Sequence, residues 1–280
     1  MTRAMTRIAI LFALVVTLSS TLAFADPDRE ASLSWLLRPV TSGTVARIDS
    51  AAAGFADRNG NLDVAVTTTF TASYQVSDAW APVLRLGLVG NNAPGAALDG
   101  GSFANPLLGA TYTRSRDSYR LALFGGATIP VGTGNARTHA ASMTARPADS
   151  AMFDVDNLSA IAGVDVAYVA RGFTAQGEAT LVQSLRVGGD EMSTDPASTR
   201  AAFGLHLGYF IGWHVAVGAD LHYEDTLTAS AGVRTQWRLG KQTWIRPGLA
   251  LVRGLDGRGL DAPLLTAQTT AVMVDIPMTF

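Results

Sequence analysis

The feature that most constrains this chain is a strict alternation of apolar residues with small or polar ones over long segments. From Ala201 to Ile211 every second residue is apolar, and Gly204, His206 and Gly208 are among the residues between them. Successive side chains of a β-strand point to opposite faces, so such a segment predicts a strand with one apolar face. A helix is excluded, because the apolar residues do not recur at intervals of three and four.

Eleven such segments recur, and most reach the roughly nine residues that a tilted strand needs to cross a bilayer. Strands of soluble sandwiches are shorter, about 5–6 residues. We expect an all-β fold, a transmembrane antiparallel up-and-down β-barrel of 12 strands, whose poorly alternating first strand lies within 42–51 and makes the count even. Ten strands and a soluble β-sandwich are the alternatives. The segments are 62–76, 83–91, 107–116, 119–131, 158–170, 173–187, 201–211, 213–223, 229–239, 243–253 and 264–280.

Composition excludes several classes of protein. Charged residues make up 16% of the 280 residues, apolar residues 48%, and the formal net charge is −2. A disordered chain needs the opposite balance, and a nucleic-acid partner would require a basic surface. The chain has no cysteine, which excludes disulfides and thiolate metal sites.

The N-terminus carries an export signal. Arg3 and Arg7 precede an apolar run over 8–18, and Ala23-Phe24-Ala25 forms a small-x-small cleavage site. The run is too short to span a bilayer, so a signal peptide is favoured over a membrane anchor. We therefore divide the chain into a signal peptide (1–25), a periplasmic N-terminal segment (26–41) and a barrel (42–280).

The connections and the C-terminus indicate the outer membrane of a Gram-negative bacterium, reached by export through the periplasm. Short and long connections alternate, as do the periplasmic turns and outer loops of such barrels. The alternating end of the chain, closed by Phe280, resembles the C-terminal signal of outer-membrane barrels. The expected partners are outer-membrane lipid and, through Phe280, the barrel-assembly machinery. Aromatic residues are expected to face outward near the short turns: Tyr74, Tyr112, Tyr119, Tyr168, Phe173, Tyr209, Trp213, Trp237 and Phe280.

The inward positions of the predicted strands carry charges that a dry interior would not tolerate. Counting from the expected turns places Arg200 opposite Glu224, Asp220 opposite Arg234, and Asp165 opposite Glu178. Residues five to eight positions above the short turns would form a charged belt near mid-barrel, and such rows of charge set ion selectivity in pores. The predicted lumen belt consists of Arg85, Asp165, Glu178, His206, Asp220, Arg234 and Arg246.

The longest connection, 132–157, is long enough to fold over the mouth of the barrel, or to remain a solvated loop. It contains His139 near Ser142, but the chain has no Gly-x-Ser-x-Gly elbow. His206, His214 and His222 face inward, with His206 and His214 about 13 Å apart, too far to share a metal ion. We expect no catalytic residues, no metal and no cofactor.

One hairpin resembles a known family. Asn105-Pro106-Leu107-Leu108-Gly109-Ala110-Thr111-Tyr112, continuing to Ile129-Pro130-Val131-Gly132-Thr133-Gly134, is similar to outer-membrane barrels associated with the meta pathway of phenol degradation. That resemblance implies a transporter-like barrel. With the lumen charges, it favours an outer-membrane channel or transporter that passes an unidentified small solute through a narrow charged lumen. A structural or surface-loop barrel with a closed, salt-bridged lumen and an outer-membrane hydrolase are the alternatives.

Overall fold

A computed structural model describes residues 32–37, 44–56, 62–91, 102–133, 142–143, 146–188, 197–212, 214–239, 243–255 and 270–280. The predicted signal peptide, His139 and Trp213 lie outside these residues. Within them, no helix is long and apolar enough to cross a membrane.

Twelve antiparallel strands form a closed barrel, which confirms the predicted all-β up-and-down architecture. Each strand pairs with its neighbours in sequence, and β12 pairs with β1 to close the ring. Two residues, Ser102–Phe103, form a short additional strand beside β3. The strands are Val45–Ala56 (β1), Leu62–Ser73 (β2), Trp80–Asn91 (β3), Leu107–Arg116 (β4), Tyr119–Thr128 (β5), Asn157–Ala170 (β6), Phe173–Arg186 (β7), Ala197–Ile211 (β8), Val215–Tyr223 (β9), Leu227–Thr235 with Trp237–Arg238 (β10), Trp244–Ile245 with Gly248–Gly254 (β11) and Thr270–Thr279 (β12).

The first strand, the least regular in sequence, is β1, and it extends beyond the predicted 42–51 to Ala56. Strands β10 and β11 are each interrupted where one continuous strand was predicted. Pro247 has no N–H to donate to the ladder, and its carbonyl accepts the N–H of Thr235 at 2.9 Å. The N–H of Gln236 donates to the carbonyl of His214 and therefore takes no part in the hydrogen bonding between β10 and β11.

The two faces of each strand have opposite surroundings. On β8, Phe203, Leu205, Leu207 and Tyr209 are each more than 50% exposed on the outer surface, whereas His206 is 0% exposed inside the barrel. This inverts the pattern of a soluble protein, because the large apolar side chains face out and the polar ones face in. A bilayer is the solvent that suits such an outer surface.

The connections define two ends of the barrel. The short-turn end carries the turns 117–118 and 171–172 and the connection between Ile211 and Val215. The start of β1 and the end of β12 lie at this same end, where the N–H of Phe280 donates to the carbonyl of Thr44 at 3.0 Å. In the 171–172 turn both Arg171 and Gly172 have positive φ, of 51° and 77°, as a two-residue hairpin turn requires. The opposite, long-loop end receives the connection 129–156, which contains a 3-10 turn at Pro147–Asp149 and a single helical turn at Ser150–Phe153.

Candidate functional site

All seven residues of the predicted belt lie inside the barrel, and none is more than 8% exposed. The structure places them around the whole wall: Arg85 on β3, Asp165 on β6, Glu178 on β7, His206 on β8, Asp220 on β9, Arg234 on β10 and Arg246 beside the break in β11. A buried charge is costly unless it is paired or hydrogen-bonded. The partners of these groups therefore decide what the lumen can do.

Seven charged side chains form one continuous series of contacts across the lumen, which we call the charge ladder. Asp275 on β12 lies between two arginines: one carboxylate oxygen accepts from Nη1 of Arg234, and the other accepts from Nη2 of Arg47 at 2.7 Å. Nε of Arg47 also donates to Asp49 at 2.6 Å, two residues along β1. In order, the ladder is Arg234, Asp275, Arg47, Asp49, Arg146, Asp149 and Arg85.

Two members of the charge ladder, Arg146 and Asp149, come from the long connection at the long-loop end. Nη1 of Arg146 lies 3.5 Å from the Asp49 carboxylate, and its Nη2 donates to Asp149 at 2.8 Å. Nη2 of Arg85 donates to the same Asp149 oxygen at 2.9 Å. Two residues of a loop are thus built into an ion-pair chain whose other members belong to the barrel wall.

The loop charges are held in their ionised forms. Burial alone would raise the pKa of the Asp149 carboxyl, but the charges of Arg85 and Arg146 and their hydrogen bonds outweigh burial and hold that pKa well below its usual range. Burial would lower the pKa of Arg146, and the carboxylates of Asp49 and Asp149 raise it above its usual value instead. At neutral pH the loop therefore docks as a pair of opposite charges, and charge-assisted hydrogen bonds are the stronger kind.

The described part of the segment 26–41, Ser32–Leu37, lies inside the barrel, and we call it the lumenal segment. Asp220 anchors it: one carboxylate oxygen accepts from Oγ of Ser34 at 2.7 Å and the other from the N–H of Trp35 at 3.0 Å. The same carboxylate accepts from Nδ1 of His206 and Oγ of Ser230, both at 2.6 Å. Four contacts use the full acceptor capacity of a carboxylate.

The charge ladder holds the lumenal segment as well as the loop. Nη2 of Arg234 and Nη2 of Arg47 both point at the carbonyl of Ser34, at 3.2 and 3.4 Å. Nε of Arg234 donates to the carbonyl of Leu33 at 3.1 Å, and its guanidinium lies 4.5 Å from the ring centre of Trp35. The charge ladder thus holds both the lumenal segment and the long connection inside the lumen.

The lumenal segment also buries apolar surface. Trp35, Leu36 and Leu37 are at most 2% exposed and pack with small and apolar side chains on the inner faces of β1, β11 and β12. Burial of each leucine stabilises its position by about 1.5–3 kcal/mol. The wall residues in this cluster are Ala51, Ala53, Ala250, Val252, Ala271 and Met273.

Glycines on β8 make room for the segment. A Cβ at Gly208 would lie 2.3 Å from Oγ of Ser32, and one at Gly204 would lie 2.7 Å from Cγ of Leu37. We predict that Gly208→Ala will displace the segment. The matched control is Gly177→Ala, whose Cβ would meet only ordinary contacts, 3.7 Å from Leu205.

The absence of native cysteine makes this prediction measurable. In a Leu33→Cys background the introduced thiol is the only one, and we expect a bulky maleimide to label it severalfold faster with Gly208→Ala than with Gly177→Ala. Equal labelling rates in the two variants would show that the glycine does not govern docking.

The long connection packs its own apolar cluster into the lumen, deeper than the predicted cover over the mouth. Met152 and Phe153, each 1% exposed, contact inward residues that include Val89 and Ile161. Asn105 ties the two ends of the connection together, since its Oδ1 accepts the N–H of Gly132 at 2.8 Å and its Nδ2 donates to the carbonyls of Asp154 and Asn157. Asn105, the first residue of the hairpin that resembles the meta-pathway barrels, therefore holds the two ends of this connection together.

An acidic pair faces the ladder from the opposite wall. Asp165 on β6 lies directly opposite Glu178 on β7, as predicted. Strands β6 and β7 are six positions from β12 and β1 in the ring of twelve, so the acids lie across the lumen from Asp275 and Arg47. Asp165 accepts from Gln176, and Glu178 accepts from Oγ1 of Thr180 at 3.0 Å.

A small cavity of ≈ 40 Å³ lies on the β2–β6 side. Its lining is largely small or apolar, with Val83, Leu107, Phe124 and Ile161 beside Arg85. Glycines in the hairpin that resembles the meta-pathway barrels allow β4 and β5 to approach closely here, because a Cβ at Gly109 would lie 2.5 Å from the carbonyl of Gly125. Arg85, which is also the last member of the charge ladder, is the only charged residue among those that line this cavity.

Two hairpin registers differ from prediction. Counting from the expected turns placed Asp220 opposite Arg234, which is wrong. The β8–β9 turn is three residues long, with Ile211 opposite Val215, and Asp225 is the centre of the next turn. Asp220 therefore lies opposite His206 on one side and Ser230 on the other, and Arg234 pairs with Asp275.

The faces of these strands were nevertheless predicted correctly, because a register shift by an even number of residues leaves every side chain on the same face. Arg200 and Glu224 were predicted to lie directly opposite each other. Because Tyr223 lies opposite Phe203, they are offset by two positions, yet they form an ion pair with Nη1 and Oε1 3.3 Å apart. Sequence reasoning missed Ser34 and Trp35, which precede any alternating pattern, and Arg47 and Asp49, which lie on the least regular strand. The alanines and glycines on the inner faces were the available signal that something fills this lumen.

Among known proteins, this chain is similar to solved structures only at the level of the fold. No family profile matches the chain, and no curated protein does. The NanC porin superposes with a TM-score of 0.51 at 8% identity, over 84% of this chain and 98% of that one. An outer membrane channel from Pseudomonas putida F1 superposes with a TM-score of 0.55 at 11% identity, over 91% of this chain and 100% of that one. At such identities the likeness establishes a shared barrel fold.

Proposed function

We propose that this protein is an outer-membrane channel or transporter that passes small solutes through a narrow charged lumen. The observation that carries the proposal is the row of paired arginines and aspartates that crosses the lumen, with the acidic pair Asp165 and Glu178 facing Asp275 and Arg47 from the β6–β7 wall. Rows of charge on opposite sides of a narrow passage discriminate among ions and orient polar solutes.

The two inserts give this channel a natural closed state. The lumenal segment and the 146–153 insert are held by ion pairs, hydrogen bonds and packing, none of which is covalent, so each can leave the lumen without breaking the barrel. Outer-membrane location follows from the apolar outer face, and we assign barrel assembly to recognition of Phe280. The solute passes when the inserts move.

The barrel wall on the β2–β6 side favours a solute with a nonpolar body. Its apolar lining beside one guanidinium suits a small molecule that is mostly nonpolar and carries a polar or anionic group. The resemblance of the 105–134 hairpin to the meta-pathway barrels makes small aromatic compounds the specific candidates. Uptake of benzoate and of glucose into liposomes containing the protein would compare these two kinds of solute.

Planar-bilayer recording tests the channel. We expect wild-type protein to conduct in small steps, and Asp165→Asn with Glu178→Gln to shift the reversal potential in a KCl gradient toward anion preference, because both acidic side chains of one wall become neutral amides while the arginines remain. Unaltered selectivity of the double variant would assign the acids a structural role. A wild type that neither conducts nor admits solutes to liposomes would favour the closed, salt-bridged barrel.

A further inference from the structure

Two arginines lie on the outer face of the barrel, where every neighbouring strand is apolar. Leu108, Tyr112, Arg114 and Arg116 occupy alternate positions of β4 and share its outward face. Both arginines are exposed, and Arg116 is the last residue of the strand at the short-turn end. Their charges therefore lie on the surface that faces lipid in the proposed location.

The guanidinium of Arg114 is oriented by an aromatic cluster. Its Nε donates to the hydroxyl of Tyr112 at 2.7 Å, and its Cζ lies 5.6 Å from the centre of that ring. The ring of Trp80 on β3 lies 5.1 Å from that of Tyr112, centre to centre. Among the described residues, the two Nη groups of Arg114 have no partner.

Arg116 lies in a similar setting one step closer to the turn. It is opposite Tyr119 on β5, whose ring centre lies 5.2 Å from that of Tyr168 on β6. Its guanidinium makes no hydrogen bond, ion pair or ring contact within the described part of the chain. We call Trp80, Tyr112, Arg114, Arg116 and Tyr119 the arginine–aromatic patch.

No carboxylate of the described residues neutralises this patch. Asp117 and Asp78 are exposed in the neighbouring turns, beyond the ends of the strands, and neither makes an ion pair with an arginine of the patch. An arginine facing lipid costs about 2–4 kcal/mol at the bilayer midplane and close to nothing at the interface. The cost is removed where the guanidinium meets an anion at the level of the headgroups.

We propose that the arginine–aromatic patch binds the phosphodiester headgroup of an anionic phospholipid in the periplasmic leaflet. The proposal rests on the membrane location given above and is independent of conduction. The planar guanidinium of Arg114 presents two N–H groups to two phosphate oxygens, the geometry in which arginine binds phosphate best. Arg116 supplies a second positive charge, and the rings of Trp80, Tyr112 and Tyr119 lie where aromatic girdles contact the headgroup region. The acyl chains would lie along Leu121 and Leu123, which are exposed on β5.

Native mass spectrometry of the folded, detergent-solubilised barrel tests this site. The probes are phosphatidylglycerol and, as the zwitterionic comparison, phosphatidylcholine with the same acyl chains. Each arginine that contacts the bound headgroup is expected to contribute about fivefold to binding, as one basic residue does at an anionic lipid surface. We therefore expect Arg114→Gln with Arg116→Gln to reduce retention of phosphatidylglycerol by roughly 25-fold. Retention of phosphatidylcholine is expected to change little.

Arg171→Gln is the matched control, since Arg171 is an exposed arginine of the 171–172 turn that makes no hydrogen bond, ion pair or ring contact among the described residues. It is expected to bind phosphatidylglycerol as the wild type does. Tyr112→Phe, which keeps the ring and removes the hydroxyl that orients Arg114, should weaken binding less than the double variant. Heat-modifiable migration of each variant verifies that the barrel is folded. Equal retention of the two lipids by wild type, or undiminished phosphatidylglycerol binding by the folded double variant, would overturn the proposal. A preference for lipid A over phosphatidylglycerol would also contradict it, since that lipid belongs to the opposite leaflet.

Discussion

Replacing the lumenal segment Ser32–Leu37 by a Gly-Ser linker of equal length will raise the single-channel conductance severalfold. The segment lies within the lumen on the side of β8–β12, and the contacts that hold it come from its Ser34 and Trp35 backbone, the Ser34 hydroxyl and three apolar side chains. A Gly-Ser linker removes the side-chain contacts, and a flexible chain has no apolar surface with which to offset the entropy of ordering. The freed cross-section becomes available to ions.

The control is a change elsewhere that leaves the segment docked. Thr199→Ala alters an exposed residue of β8 near the long-loop end and should conduct as the wild type does. If the linker variant is folded and its conductance equals that of wild type, the segment does not obstruct the conducting path. The path would then lie along the β2–β6 cavity, and the 146–153 insert would be its gate.

The sequence predicts those features of the structure that follow from a periodic pattern of residues. Alternation predicts that His206 faces in and Leu205 faces out, because the period of two is set by the backbone itself. It also predicts that Arg200 can reach Glu224. The register is predicted less reliably, because it depends on turn length. Both turns that flank β9 are centred away from their predicted positions. As a result Asp220 lies opposite His206 and Ser230, and not opposite the predicted Arg234.

The inserts could not be predicted in this way, because neither has a period. Ser32–Leu37 is a short mixed segment that precedes the first strand, and its contacts with Asp220 join residues 186 positions apart. The partners of Asp149 were likewise invisible, since Arg85 and Arg146 meet only after a loop has folded inward. Polar contacts between residues far apart in the sequence depend on how the folded segments pack together, and a local sequence pattern does not predict that packing. The apolar surplus at Trp35, Leu36 and Leu37 is the one local sign that this segment is buried.

The charge ladder yields the second large expected effect, in stability. Asp275→Asn will lower the temperature at which the heat-modifiable barrel unfolds, because Arg234 and Arg47 then face each other without the carboxylate between them. Removal of one partner from a buried ion pair costs about 3–5 kcal/mol, since it leaves an uncompensated charge. The substituted asparagine retains the volume of the side chain, so the loss is one of charge and not of packing. The measurement is the midpoint of the transition between folded and unfolded bands on gels.

Asp165→Asn is the matched control, because it removes a buried carboxylate of the same lumen whose hydrogen-bond partner is the neutral Gln176. It is expected to leave the midpoint unchanged or to raise it, since it also relieves the repulsion of Glu178 on the opposite position of β7. A third variant separates charge from fit: Arg47→Met with Arg234→Met and Asp275→Leu replaces the ions by apolar groups, and such replacements often recover the stability that a single deletion loses. If Asp275→Asn and Asp165→Asn unfold at the same temperature, the ladder contributes no more than an ordinary pair of lumen hydrogen bonds. If the triple variant recovers the midpoint but binds the lumenal segment loosely, as judged by labelling of Leu33→Cys, then the buried ions serve to hold the two inserts and not to hold the barrel.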